Sequence, residues 1–151
     1  MTEDRFKRLW VAFDEGTNVI DLNTMLPIVP KTTKGDISEL LAQPSVKTYC
    51  DALGRIWLIT TKYVNLISFD EYGGISNVVT YQYTDNTPDI SICDIEGNGK
   101  PWICIDRGLY RMAEKDGKLV REEISSLLKP LHGLYITDML KRGNVVWFST
   151  N

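Results

Sequence analysis

The four tryptophans of this chain recur at a nearly constant spacing. They are Trp10, Trp57, Trp102 and Trp147, which are 47, 45 and 45 residues apart. Each lies in a short run of apolar residues that a Gly, Asn or charged turn precedes. A period in the mid-forties with one Trp per unit is typical of β-propeller blades, in which about 40 to 50 residues form a four-stranded sheet. The spacing therefore predicts an all-β chain, a partial propeller of about three blades.

A second marker has the same register as the tryptophans. Residues 37–41 read ISELL and residues 124–128 read ISSLL, and each lies about a dozen residues before the Asp of its blade. The Trp-containing runs are continuously apolar, which indicates strands buried on both faces, as in a blade between two neighbours. A β-sandwich of short strands is the alternative, but it has no reason to space its tryptophans evenly.

Aligned on Trp, each unit has an apolar strand that ends in Asp, a Gly-bearing turn, the Trp strand, a second turn and a third strand. Residues 51–61 are the cleanest copy. Two copies depart from the pattern: the Asp-x-x-Gly turn is absent before Trp10, where Phe6 and Lys7 stand, and Tyr63 replaces a Gly after Trp57. We expect one array over residues 1–151, with approximate repeats at 4–50, 51–93 and 94–137 and a further blade that starts within 138–151.

Composition excludes several function classes. The net charge is −3, the isoelectric point is near 5.2, and Lys and Arg are scattered, so we expect no nucleic-acid partner. No apolar stretch approaches the roughly 18 residues of a membrane span, and the first residues lack the apolar core of a signal peptide. Three cysteines and one His offer too few ligands for a zinc site, so we expect free thiols.

Two segments resemble parts of a functional site, one a calcium loop and the other a catalytic histidine, but each lacks further residues that such a site requires. Residues 94–99 read DIEGNG, which alternates oxygen ligands as calcium loops do, but Trp102 stands where an acidic ligand is required. An Asn-Gly turn explains the same residues. His132 has no orienting carboxylate or nucleophile beside it in the sequence and is interpreted as a surface loop residue. The sequence predicts no metal, no cofactor and no catalytic residue.

A ligand site is expected on one rim of the propeller. In an up-and-down sheet, the turn after the Trp strand and the connection to the next blade lie on the same face, where loops converge on the channel. That face would hold Lys62, Tyr63, Asp106 and Arg107. Tyr63 could stack on a sugar ring and Arg107 could pair with an acidic group. A solvated Asp–Arg turn pair is the alternative for the last two residues.

The strand-and-turn motif resembles the two-component regulator propeller repeat. Residues 51–60 read DALGRIWLIT and residues 108–111 read GLYR, and the resemblance extends over residues 3–151. Members of that family form the periplasmic sensor of hybrid two-component histidine kinases, especially in gut Bacteroidetes, where arrays of repeats close into seven-bladed propellers that detect glycan breakdown products. The resemblance implies a periplasmic fragment of a membrane-anchored sensor that binds an oligosaccharide and relays the signal to an output module outside this chain.

Two other function classes stay open. A protein-interaction scaffold is the first alternative, and a propeller-fold polysaccharide lyase or quinone-type dehydrogenase is the second, although no paired carboxylates, Tyr–His pair or cofactor fingerprint supports an enzyme. We also expect Trp57 and Trp102 to be interior residues. Closed propellers need about four to eight blades, so the partners would be further blades or self-association of the chain.

Overall fold

The computed structural model describes residues 1–33, 35–84, 90–105, 108–124, 127–131 and 133–150. The strands form four antiparallel sheets, which we number 1 to 4 along the chain. Sheet 1 contains β1 (Thr2–Glu3), β2 (Arg8–Phe13), β3 (Gly16–Asp21) and β4 (Leu26–Ile28), and sheet 2 contains β5 (Ser45–Cys50), β6 (Ile56–Thr60), β7 (Tyr63–Phe69) and β8 (Ile75–Gln82). Sheet 3 contains β9 (Ser91–Cys93), β10 (Trp102–Ile105), β11 (Gly108–Lys115) and β12 (Lys118–Glu123), and sheet 4 contains β13 (Ile136–Arg142) and β14 (Val145–Thr150).

Within every sheet, the strands lie side by side in the order of the chain. This up-and-down arrangement is that of propeller blades, so the predicted all-β partial propeller of about three four-stranded blades and the start of another is confirmed. Asp4, Asp51 and Asp94 directly follow the first strand of their sheets, whereas Asp138 lies inside β13 rather than at its end. A repeat counted from Asp, such as 51–93, therefore contains the last three strands of one sheet and the first strand of the next.

All four tryptophans lie on the second strand of their sheets. The first-strand partners of Trp57, Trp102 and Trp147 are Tyr49, Cys93 and Leu140. Successive residues of a strand alternate between the two faces of the sheet. In sheets 1 to 3 the Trp points toward the following sheet, where it joins the apolar core between the two.

The burial of these tryptophans decreases along the chain. Trp10 and Trp57 are 0% exposed, Trp102 is partly buried, and Trp147 is 63% exposed. The expectation that Trp102 is an interior residue is therefore wrong in part. Its ring stacks on Phe148 of sheet 4 at a centroid distance of 6.4 Å, but sheet 4 has only two described strands to cover it.

The turn that the sequence lacks before Trp10 is present in the structure. Asp4 accepts hydrogen bonds from the backbone N–H of Arg8, from the Arg8 side chain and from the indole of Trp10 at 3.1, 2.7 and 2.8 Å. Asp51 makes the corresponding bonds in sheet 2. Lys7 has a φ of 61° where Gly54 has 74°. Lysine thus adopts the left-handed conformation for which glycine is the usual residue, because the buried Asp secures the surrounding turn.

The second sequence marker has a backbone hydrogen bond between its first and fifth residues in both copies. Helix α1 (Ser38–Leu41) links sheets 1 and 2, and the backbone N–H of Leu41 donates to Ile37 at 2.9 Å. The N–H of Leu128 donates to Ile124 at 3.3 Å between sheets 3 and 4. Ile37 and Ile124 are buried in the cores between the sheets they connect. The marker therefore places a buried Ile in the core between two sheets, just before the first strand of sheet 2 and of sheet 4.

Candidate functional site

A groove lies between helix α1 and the two outer strands of sheet 2, and we call it the α1 groove. Its volume is about 480 Å³, within the usual size of small-molecule sites. It is lined by Asp36, Ile37, Glu39, Leu40, Gln43, Tyr63, Asn65, Asn77, Val78 and Thr80. Amides, carboxylates and a tyrosine dominate this lining.

The floor of the groove contains a fixed polar pair. Asn65 interrupts an apolar strand and is 1% exposed, so its amide needs hydrogen-bond partners. It donates to the carbonyl of Leu58 at 3.1 Å and accepts from the hydroxyl of Thr80, its cross-strand neighbour, at 2.9 Å. These bonds fix the orientation of the exposed Thr80 hydroxyl over the buried Asn65 amide.

Tyr63 stands at the end of the groove. It is the first residue of β7 and shares a sheet face with Asn65, two residues further along the strand. The ring is partly buried. Within the described part of the chain, no hydrogen bond involves the side chains of Tyr63, Gln43 or Asn77. Their polar groups are available to a ligand.

The wall formed by α1 carries two carboxylates. Asp36 accepts hydrogen bonds from the hydroxyl and the backbone N–H of Ser38 at 2.5 and 2.8 Å. The hydroxyl bond, followed by the backbone bond, lowers the pKa of Asp36, which is therefore ionised at neutral pH. Glu39 lies in the first turn of the helix. The wall favours ligands that donate hydrogen bonds and disfavours anions.

The absence of a side chain at Gly16 allows α1 to pack against the start of β3. The φ of Gly16 is 141°, and a Cβ atom on this residue would lie 2.4 Å from the carbonyl oxygen of Leu41. The start of β3 therefore has room for the helix only because residue 16 is Gly. Tyr63 holds the corresponding position at the start of β7, where its side chain lines the groove instead. A second groove of about 550 Å³ lies between α1 and sheet 1.

The structure places the predicted site residues as follows. Tyr63 lines the α1 groove, whereas Lys62 is exposed and does not line it. Asp106 and Arg107 lie outside the described residues. Sequence reasoning missed Asn65, whose one available signal was a polar residue inside the apolar run of β7. It also missed the residues that α1 contributes, because their place depends on tertiary packing.

The loop that resembles a calcium site uses its oxygens internally. Asp94 accepts from the backbone N–H groups of Asn98, Gly99 and Ala52 at 3.2, 2.7 and 3.2 Å. Glu96 accepts from the Trp102 indole at 3.2 Å and forms an ion pair with Arg111. Among the residues whose placement is described, no group of three or more His, Cys, Asp or Glu side chains is arranged to hold a metal. His132 lies outside them.

The cysteines are free thiols in different environments. Cys104 pairs with Ser91, so Cys93 is its diagonal neighbour across the strands rather than its direct partner. Cys50 packs in the core between sheets 1 and 2, whereas Cys93 packs between sheets 3 and 4. Burial raises the pKa of Cys104 to about 12, so it is protonated at neutral pH and a poor nucleophile.

Comparison with known proteins identifies a shared fold. No family model matches the chain, and no curated protein matches it. Among solved structures, the chain is similar to the extracellular domain of a proposed one-component system from B. thetaiotaomicron, with a TM-score of 0.64 and 15% sequence identity. The match covers 99% of this chain and 18% of that chain, so the chain spans less than a fifth of the neighbour's length. Separately, no helix in the described ranges is long and apolar enough to cross a membrane.

Proposed function

We propose that this chain is part of a sensor propeller that binds an oligosaccharide and relays the signal to an output module outside the chain. The α1 groove is the observation that carries this proposal. The solved neighbour supports it, because that protein is described as the extracellular domain of a one-component system. A place in the periplasm and membership of a hybrid two-component histidine kinase rest on the sequence motif and belong to the same proposal.

The groove has the chemistry that sugars require. Sugar hydroxyls both donate and accept hydrogen bonds, and the amides of Asn77 and Gln43 offer both functions, while carboxylates accept only. The ring of Tyr63 gives an apolar surface with a polar tip, which suits stacking on a pyranose. The carboxylates of Asp36 and Glu39 favour a neutral sugar over a uronic acid. Binding of an acidic group by Arg107 stays a prediction.

Binding to a panel of neutral and acidic oligosaccharides tests the proposal. Tyr63→Ala and Asn77→Ala should each raise the Kd for a bound neutral glycan about tenfold, which corresponds to about 1.4 kcal/mol. Lys62→Ala is the matched control, since Lys62 is adjacent to Tyr63 but outside the groove lining. Circular dichroism of each variant checks the fold.

The outcomes separate the function classes. Unchanged affinity in both groove variants would remove the α1 groove as the site. Failure of every glycan to bind would favour the interaction scaffold, and turnover of a glycan would favour a lyase. Further blades or a second copy are the proposed protein partners in each case.

A further inference from the structure

A chain of hydrogen bonds in the α1 groove fixes the polarity of its floor. The carbonyl of Leu58 can only accept, so Asn65 must turn the NH₂ group of its amide toward that oxygen, at 3.1 Å. The amide oxygen of Asn65 then accepts from the hydroxyl of Thr80 at 2.9 Å. Thr80 is exposed and lines the groove. Because its one hydroxyl proton goes to Asn65, its oxygen can only accept from a ligand.

The wall formed by α1 adds two more groups that can only accept. Asp36 and Glu39 both line the groove, and an ionised carboxylate has no proton to donate. None of the described lining residues is Lys, Arg or His, so no positively charged side chain of the lining offsets the two carboxylates. The groove therefore favours a ligand that has several donors and no negative charge.

Tyr63 adds an aromatic surface to these acceptors. Its partly buried ring stands at the end of the groove, and the face of an aromatic ring attracts a cation. The amides of Gln43 and Asn77 both donate and accept, so they do not select the charge of a ligand. A protonated amine has three donors and no acceptor. It matches a fixed hydroxyl oxygen, two carboxylates and an aromatic face better than a hydroxyl group does.

Further sheets of a larger propeller would not cover the groove. Sheet 2 packs against sheet 1 through one core cluster and against sheet 3 through another. The groove lies between β7, β8 and the segment that links sheets 1 and 2. A sheet added before sheet 1 or after sheet 4 would pack on that sheet instead. The ligand chemistry of the groove therefore depends on residues of this chain.

We propose that the glycan bound in the α1 groove carries a protonated amino group, as an amino sugar does, and that Asp36, Glu39 and Thr80 accept its hydrogen bonds. The inference rests on the proposed function, because it specifies the ligand of the same groove. Charge-assisted hydrogen bonds are stronger than neutral ones. Solvent screens both carboxylates, so each should improve the affinity for the amine about two- to fivefold. The expected order of affinity is amino sugar, then neutral sugar, then uronic acid.

Isothermal titration calorimetry with three trisaccharides of identical linkage tests the proposal. They are built from glucose, N-acetylglucosamine and glucosamine, and they differ only in the group at one carbon of each ring. At mildly acidic pH the amine is protonated while the carboxylates stay ionised. The wild type should bind the glucosamine trisaccharide about tenfold more tightly than the glucose trisaccharide. This preference should shrink as the salt concentration rises, because both carboxylates are exposed.

Two isosteric variants test the source of the preference. Asp36→Asn and Glu39→Gln each keep an acceptor oxygen and remove one charge, so each should lower the ratio of the two affinities about two- to fivefold. Glu71→Gln is the matched control, since Glu71 is exposed in the turn between β7 and β8 and does not line the groove. It makes the same change of charge and should leave the ratio as it is in the wild type.

The outcomes separate this inference from the proposed function. Equal affinity for the glucose and glucosamine trisaccharides would overturn the amine inference and leave glycan binding in place. A preference for glucosamine that persists in both isosteric variants would also overturn it, because the charge would then be recognised elsewhere. If none of the three trisaccharides binds and neutral and acidic glycans also fail, the proposed function is wrong and the inference falls with it.

Discussion

Trp57 lies in the contact between sheets 2 and 3, and Trp102 lies in the contact between sheets 3 and 4. The two residues occupy the same position of the repeat but are buried to different degrees. Trp57 is completely buried under a four-stranded sheet and donates to the buried Asp51 at 2.9 Å. Trp102 is partly covered by a two-stranded sheet and donates to the exposed Glu96 at 3.2 Å. The contribution of a repeated Trp therefore depends on the sheet that covers it more than on its own strand.

Truncation of the tryptophans should show the largest difference. Trp57→Ala is expected to lower the free energy of unfolding by about 3 to 5 kcal/mol, since it removes a fully buried aromatic ring. Trp102→Ala should cost about 1 to 2 kcal/mol in proportion to its smaller buried area, and Trp147→Ala less than about 0.5 kcal/mol. Urea denaturation of dilute protein measures all three. Equal losses would contradict the comparison.

Removal of the carboxylate that accepts each indole hydrogen bond should lower stability by a smaller amount, and again by more for Trp57 than for Trp102. Asp51→Ala leaves the Trp57 indole and the Arg55 guanidinium without their acceptor, which should cost about 3 kcal/mol. Glu96→Ala removes a carboxylate that solvent reaches and should cost less than about 1 kcal/mol. If the two variants melt at the same temperature, the Asp51 turn is not a special stabilising element.

The smallest expected effect concerns pH and the contact of sheets 3 and 4. The Ser91 hydroxyl donates to Asp138 at 2.7 Å and lowers the pKa of that carboxyl. Because the pKa of Asp138 is lower in the folded than in the unfolded chain, its ionised form stabilises the fold at pH values above the ordinary Asp pKa of about 3.9. This contribution is lost as the pH falls through the pKa of the folded state. Asp138→Asn should cost less than about 1 kcal/mol at pH 7 because the group is solvated. The urea midpoints of the wild type and of Asp138→Asn should therefore converge as the pH is lowered. A difference between the two midpoints that does not change with pH would contradict a role for the ionised Asp138.

The sequence predicted the sheets better than it predicted the site. Four tryptophans in register sufficed to place the second strand of every sheet, because the repeat places Trp at the same strand position in each unit, whether or not that Trp is buried. The turn before Trp10 was missed because a positive φ is expected at a Gly such as Gly54 and not at a Lys such as Lys7. Tyr63 was predicted as a ligand residue from its rim position, and this role stays a prediction, although Tyr63 does line the α1 groove. Asn65 was overlooked as one polar residue in an apolar strand.

By itself, the sequence determined the period, the strand order and the identity of the apolar faces, because these follow from local spacing and the alternation of a β-strand. Tertiary structure decided which tryptophans are buried and which polar residues meet. Helix α1 reaches sheet 2 only because Ile37 enters the core and Gly16 admits the backbone of Leu41. Such contacts join residues far apart in the chain, and their geometry depends on packing that no single segment specifies.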